Sequence, residues 1–473
     1  MAIYQKSLDD TLVAINAASS PGTGWSLAAN LQAVLNAART ANMPLFLRAG
    51  TYSTGALDVT AATGGGKPLE LIAEPGTVTI SLSGSALHLL QVDGVADVTI
   101  RGIIFNGNNQ ALTGSGTRGL VRFINAGASN FSIENSAVLN STAAGIVAEG
   151  GSKGRIANNR VSASVTGIFA NDSVVDIEGN HLSTLGDNGI AVWTSSIAAN
   201  GSIVRNNTID NVNNASGGTG QYGNAILVFR AGNVKVAENT ISNVRYSAIR
   251  LNATSNTTVV NNYCKTSREV AIFVEAPTSG LNTNGCVIAD NVIDGAGCGI
   301  SIANAGLYSD GITSLTVVSG NIVRNITKNA IPDPGYTPPT TTGGGIGVEH
   351  STNVTGNLIT ATQGAAITLG TNDAAINLAA VGNTIVSCPM GIGYSADGSA
   401  RSLLISSNLV RGFRNITNIA DPLYPVSGAI VSLSFNGTTY DRDTNGASAN
   451  TDYGISSQTS VGNLTVGMNR ANV

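Results

Sequence analysis

The sequence predicts an all-β fold, a right-handed parallel β-helix with an internal asparagine ladder and a helical N-terminal cap, and three observations predict it. The first is composition. The 473 residues hold 57 Gly, only 12 Pro and 11% charged residues. A folded chain so poor in charge must satisfy its backbone in ladders and cover itself with small polar side chains, as β-solenoids do. The second is an asparagine that recurs in a constant setting, and the third is a small residue followed by isoleucine that recurs in step with it.

The asparagine follows an aliphatic residue by three positions and precedes an apolar one by two. It stands in Ile156-x-x-Asn159-x-Val161, Ile177-x-x-Asn180-x-Leu182, Val204-x-x-Asn207-x-Ile209 and Val236-x-x-Asn239-x-Ile241. The series continues at Asn262, Asn291, Asn321, Asn357, Asn383 and Asn408, and Ser136 holds the same place one coil earlier. The mean step is about 28 residues, the length of one solenoid coil. Stacked coils set equivalent positions about 4.8 Å apart. An asparagine at an inward bend can therefore bond its amide to the coils above and below and satisfy turn backbone that would otherwise be buried without partners.

A second strand begins at Gly145-Ile146, Gly167-Ile168, Gly189-Ile190, Ala225-Ile226, Ala248-Ile249, Ala271-Ile272, Gly299-Ile300, Gly345-Ile346, Ala366-Ile367 and Gly391-Ile392. By strand alternation, that isoleucine and the residue two beyond it point inward, and the residues one and three beyond it point outward. At the N-terminus, Ser26 caps a predicted helix that puts Leu31, Val34, Leu35 and Ala38 on one face and stops at Asn42 and Pro44. Solenoids need such a cap, because an open strand edge aggregates. The expected division is a cap over residues 1–55, coils over 56–421 and a C-terminal cap or tail over 422–473, where the repeat is lost.

The net charge is −4 with no basic run, which speaks against a nucleic-acid partner. No run of 18 apolar residues is present, so no membrane span is expected. Met1 to Asp10 shows no cleavable-signal pattern. Cys264, Cys286, Cys298 and Cys388 have no metal-ligand spacing and read as buried thiols.

Long insertions flank the second strand, at Asn211–Tyr222 and Asn325–Gly344 before it and at Thr194–Gly201, Ala276–Gly285 and Asn304–Ser314 after it. Walls on both sides of one strand face make a groove suited to a chain-like ligand. The outward residues there are unusual for so charge-poor a protein. Three beyond the isoleucine stand Glu149, Asn171, Trp193, Phe229, Asn252, Glu275 and Glu349, and one beyond it stand Phe169, Arg250 and Phe273. Arg230, Tyr222, Tyr246, Arg268 and Glu269 adjoin them.

The catalytic candidates are Arg250, Glu275 and Glu349. The arginine would neutralise a uronate or steady an oxyanion, and the glutamates would act as acid and base. Two coils separate Glu275 from Glu349, about 9.6 Å by strand spacing, near the range of about 6.5–9.5 Å used by inverting glycosidases. Trp193, Phe229, Arg230, Asn252, Tyr222, Tyr246, Arg268 and Glu269 are the substrate-binding candidates, the aromatics as platforms for sugar faces. Structural alternatives stand beside these: a stack of Trp193 on Phe229, and a surface ion pair of Arg250 with Glu275. His181 reads as an ordinary surface residue, and His350 lies closer to the groove. No metal or other cofactor is expected. Glu238 and Asp290 flank Asn261 and suggest calcium, but two carboxylates are few for a hard cation.

Asp187-Asn188-Gly189-Ile190-Ala191-Val192-Trp193 and the run from Gly220 to Val234 resemble a known bacterial family, as do Ser247-Ala248-Ile249-Arg250, Asn252 and Arg268-Glu269-Val270-Ala271. The family is that of the twin-arginine-translocated repeat proteins, within the pectate-lyase-like β-helix superfamily. The close resemblance covers roughly Gly186 to Val274. It implies a right-handed parallel β-helix exported in the folded state to the periplasm or beyond, and it carries no catalytic residues over. No twin-arginine pair stands at this N-terminus, so export rests on the resemblance. The Asp-Pro-His-Asp run expected of mannuronan epimerases and the Gly-His-Gly run expected of polygalacturonases are both missing.

Two functions follow as expectations. One is an exported protein that binds a polysaccharide or oligosaccharide in the groove and cleaves it, as a lyase or glycoside hydrolase. The other is a non-catalytic carbohydrate-binding, envelope-structural or phage-spike-like adhesin. The expected assembly is a monomer or a homotrimer.

Overall fold

The computed structural model describes residues 13–15, 27–47, 49–217, 220–277, 280–304, 315–329, 341–370, 376–395, 401–411, 428–433, 462–466 and 470–472. Ser26, Met1 to Asp10 and nearly all of the tail after Pro422 lie outside these residues. Two units are present, 1–196 with 200–216 and 197–199 with 217–473. Each is a stack of parallel-stranded coils, a parallel β-helix.

A coil has three strands where the sequence pattern resolved two. In the first unit, Phe131–Glu134 pairs with Lys153–Ala157, which pairs with Val174–Glu178. After the ladder residue, the long strand Ala137–Glu149 pairs with Arg160–Asn171, and that with His181–Ala199. Each long strand bends midway, with register shifts at Ser141/Ala144 and Ser164/Thr166. The bend separates a short strand that follows the asparagine from the strand led by the isoleucine. His181–Ala199 also carries strand through Thr194 to Ala199, where a loop was expected.

The isoleucine register holds within both units. Ile146, Ile168 and Ile190 pair in turn in the first. Ile226, Ile249, Ile272, Ile300, Ile346, Ile367 and Ile392 do so in the second. All ten are buried, which is the stacked interior that the pattern requires.

The ladder is built as the repeat predicts. In the first unit the Ser136 N–H donates to Asn159 Oδ1, and the Asn159 and Asn180 amides donate to the next oxygen along. In the second, Asn239, Asn262, Asn291, Asn321, Asn357, Asn383 and Asn408 form one run. The residue before each ladder position adopts left-handed backbone, including Asn158, Glu238, Asn261 and Asp290 at φ 55, 59, 57 and 57°. That conformation favours Gly, Asn and Asp. Glu238 and Asp290, the residues that suggested calcium, are therefore turn residues. Asp290 Oδ1 lies over Gly320, where a Cβ would come within 2.2 Å of it.

The helix Leu27–Thr40 buries Leu31, Val34, Leu35 and Ala38, as its apolar spacing predicts. Two side chains fasten it to the first coil. Gln32 brackets one residue of the strand Leu57–Thr60, donating to the Asp58 carbonyl at 2.7 Å and accepting the Asp58 N–H at 2.6 Å. Buried Arg39 donates to the carbonyls of Thr60 and Lys67 at 3.0 and 2.8 Å. Coil pairing already includes Leu45–Leu47 and Gly50–Thr54. No described helix is long and apolar enough to cross a membrane.

Candidate functional site

In the second unit, three predicted residues meet. Arg250, on the strand Ile249–Asn252, pairs in register with Phe273 of the strand Tyr263–Glu275. Its guanidinium lies over the Phe273 ring, 4.6 Å from the centroid. One nitrogen pairs with Glu275 Oε2 and the other lies 3.4 Å from Glu269 Oε2. Ser247 Oγ donates to the same Glu269 oxygen at 3.1 Å.

The strip faces outward but is largely covered. Arg250, Glu269 and Asn252 are 5, 3 and 7% exposed. Gly220 closes over Arg250, for a Cβ there would stand 2.9 Å from Nη2. Only Glu275 and Phe273 are partly open. Arg250 Nε and Asn252 Oδ1 are buried with no hydrogen-bond partner among the described residues. Burial pushes the Glu269 carboxyl above the ordinary carboxylate range, and Glu275 adds to the rise against the opposing pull of Arg250 and Ser247.

The other candidates scatter. Glu349 is buried one residue past Val348, whose partner is Ile302, so it stands two strands from Glu275. Tyr246 is fully buried beneath the site and offers no surface to a ligand. Arg230 lies 4.7 Å over the ring of its neighbour Phe229. Tyr222 is half-buried and Arg268 is exposed. Trp193 belongs to the first unit, where it meets Phe169 edge-on at 6.5 Å, while Phe229 belongs to the second. His350 is buried and clamped by Asn304, which donates to its carbonyl and accepts its N–H, so it is a structural residue rather than a groove residue. His181 is exposed.

Cys264, Cys286 and Cys388 are buried thiols, and burial pushes Cys264 up to about 12. Among the described residues, no group of three or more His, Cys, Asp or Glu is placed to hold a metal. The loop segments 305–314 and 330–340 lie outside the described residues. A depression of about 660 Å³ does open in the second unit, on the other sheet, lined by Val287, Leu315, Val317, Ser351, Asn353 and Ala379.

Sequence reasoning missed a second cluster, in the first unit. Asp58, Gln91 and Arg122 stand in register on three neighbouring strands, Leu57–Thr60, Leu90–Asp93 and Gly119–Ile124. Arg122 bonds Gln91 with one nitrogen and Glu149 with another, and His88 Nε2 lies 3.0 Å from Asp58 Oδ1. Burial is the main cause that holds His88 below the usual imidazole range, against the pull of Asp58 and helped by the charge of Arg122.

A family model for the right-handed β-helix region matches residues 196–385. The catalytic unit of an α-1,3-glucanase from Streptomyces thermodiastaticus is similar in structure, with TM-score 0.53 and 16% identity over 78% of this chain and 68% of that one. A mannuronan C-5 epimerase A-module from Azotobacter vinelandii gives 0.43 and 17% over 80% and 96%. The tailspike of Escherichia coli bacteriophage HK620 gives 0.41 and 14% over 88% and 68%. No curated protein sequence matches. The strand pairing, the family model and the likeness to the glucanase give the fold as a right-handed parallel β-helix.

Proposed function

We propose that this protein is exported, and that it holds a polysaccharide against the outward face of its isoleucine-led strands and cleaves it at Arg250, Glu269 and Glu275. The observation that supports this reading most is one buried guanidinium with a carboxyl group on each side in unlike surroundings. Glu269 is sealed and raised by burial, whereas Glu275 is partly open and paired with Arg250. Environments that drive two carboxyl groups apart are how acid and base roles are divided. One guanidinium reaching both holds them within about 8 Å of each other, which overlaps the separations used in general by retaining and inverting glycosidases.

In hydrolysis, which needs the cover at Gly220 to yield so that Glu269 meets the sugar, Glu275 takes a proton from the attacking water, the glycosidic C–O bond breaks, and Glu269 gives its proton to the departing oxygen. In β-elimination the same roles serve: Glu275 removes the proton beside a uronate carboxylate, and Glu269 protonates the leaving oxygen. Arg250 sets the spacing and offsets charge that develops between them. Phe229, Arg230, Tyr222 and Arg268 are assigned to the flanking binding surface and Trp193 to a platform in the first unit, whereas Glu349 and Asn252 are buried and support that surface from within. The fold shared with a solved α-1,3-glucanase is compatible with this reading.

A second reading is a non-catalytic glycan-binding or adhesin protein, and one observation favours it. Arg250 is already paired with Glu275, lies against Glu269 and is covered by Gly220. Incubation with neutral glucans, α-1,3-glucan among them, and with uronate polymers separates the two. The catalytic reading expects new reducing ends or unsaturated uronate from one class. Binding without any product leaves the adhesin reading, and neither binding nor product rejects both.

A further inference from the structure

The cluster in the first unit has features that packing alone does not require. Asp58 is about half exposed, yet it is held at every point. Gln32 fixes its backbone N–H and carbonyl, and His88 fixes its side chain. A carboxylate accepts only, so His88 donates from Nε2, which leaves Nδ1 a bare acceptor. That Nδ1 and Arg122 Nε are buried with no partner among the described residues. His88 and Arg122 are 7 and 4% exposed. A half-open acid on a rigid buried support is the design of a binding group held ready for its ligand.

We propose that Asp58 and Gln91, backed by His88 and Arg122, form a second glycan site that takes a neutral chain. One planar acid and one planar amide stand on adjacent strands about 4.8 Å apart, so each can bond a different hydroxyl of one chain. On the same strand face of this unit, Phe169 and Trp193 pack edge-on and offer an apolar surface for a further sugar ring. Charge fixes the class. On these paired strands Asp58, Asp93 and Glu149 set three carboxylates against the guanidinium of Arg122, so a uronate polymer is disfavoured. The site shares with the proposed function the premise of a glycan ligand, but it needs no chemistry at Arg250.

Calorimetric titration of the full chain with neutral gluco-, manno- and galacto-oligosaccharides, and with oligogalacturonate, tests it. The expected result is binding of a neutral oligosaccharide that falls at least tenfold in Asp58→Asn and in Gln91→Ala, and that persists in Glu275→Gln. Gln91→Ala keeps the Asp58–His88 and Arg122–Glu149 pairs and so guards against a folding defect. Three results overturn the proposal: no neutral oligosaccharide binds, both variants bind like wild type at an unchanged melting temperature, or oligogalacturonate binds more tightly than every neutral chain. Loss of binding only in Glu275→Gln leaves the Arg250 site standing and rejects this one.

Discussion

Asn262 and Asn291 share one oxygen: Asn291 Oδ1 accepts both the Asn262 side-chain amide and the Asn262 backbone N–H, each at 2.9 Å. Asn262 Oδ1 receives the same two bonds from Asn239. The Asn262 amide thus closes a turn in its own coil and fixes the stacking distance to the next.

Asn262→Leu should cost several kcal/mol. It leaves donors of Asn239 unpaired, removes the side-chain donor to Asn291, and puts a branched side chain into a bend shaped for an amide. A buried group left without a partner costs about 1–3 kcal/mol. Exposed Thr240→Ala, one residue past a ladder position, should cost under about 0.5 kcal/mol. Denaturant midpoints measure the difference. Solenoid coils contact mainly their neighbours, so amide exchange should quicken first around Asn262. Equal midpoints would mean that the ladder contributes nothing.

Glu269 predicts an unusual pH dependence. Its folded pKa is raised, so the folded state binds more protons than the unfolded one above about pH 4.3, the ordinary value. Stability from this group is highest below that pH and falls as pH rises through the folded value. Glu269→Gln should remove that decline, and urea midpoints taken across the acid range would reveal it. Parallel curves for wild type and variant would contradict the burial of an ionisable Glu269.

The outer face of the strand Val174–Glu178 predicts the opposite sign. Hydrogen bonds from Arg155 and Arg205, at 2.6 and 2.7 Å, hold Glu178 below the ordinary carboxylate range. That stability is present above about pH 4.3 and is lost as pH falls through the depressed value. Both arginines are more than a third exposed, so screening limits the gain to under about 1 kcal/mol. Glu178→Gln should therefore lower the melting temperature slightly at low salt and hardly at all at high salt. An effect that does not depend on salt would contradict an electrostatic origin.

Arg39→Ala should loosen the cap. The carbonyls of Thr60 and Lys67 lose their donor, at about 1–3 kcal/mol. The helix Leu27–Thr40 shields the edge strand Leu57–Thr60, so light scattering should rise on mild heating before the melting transition. A variant that stays monodisperse up to the wild-type melting temperature would show that Arg39 does not secure the cap.

The ladder and the isoleucine strand were legible because each needs one residue type at one bend, and stacking repeats that need in every coil. The bend between the short and long strands was not. Ala163, Thr184 and Ala361 take left-handed backbone there at φ 52, 56 and 53°, and none is a residue that advertises it. The pairing of Arg250 with Glu275 was readable from register, but its burial was not, since the cover comes from the loop at Gly220. Asp58, His88 and Arg122 escaped notice because they precede the asparagine repeat that assigned positions to all later coils. The alternation in Leu90-Gln91-Val92-Asp93 and Val121-Arg122-Phe123 was the available signal.

Turnover by Glu275→Gln tests the central claim most directly, measured on whichever glycan the wild-type protein cleaves. An amide still accepts from Arg250, so the melting temperature should hardly change. Loss of the base should lower kcat by about 10²–10⁴-fold, the usual contribution of a positioned acid or base. Wild-type turnover in a folded Glu275→Gln protein would contradict the assignment of catalysis to the Arg250, Glu269 and Glu275 site.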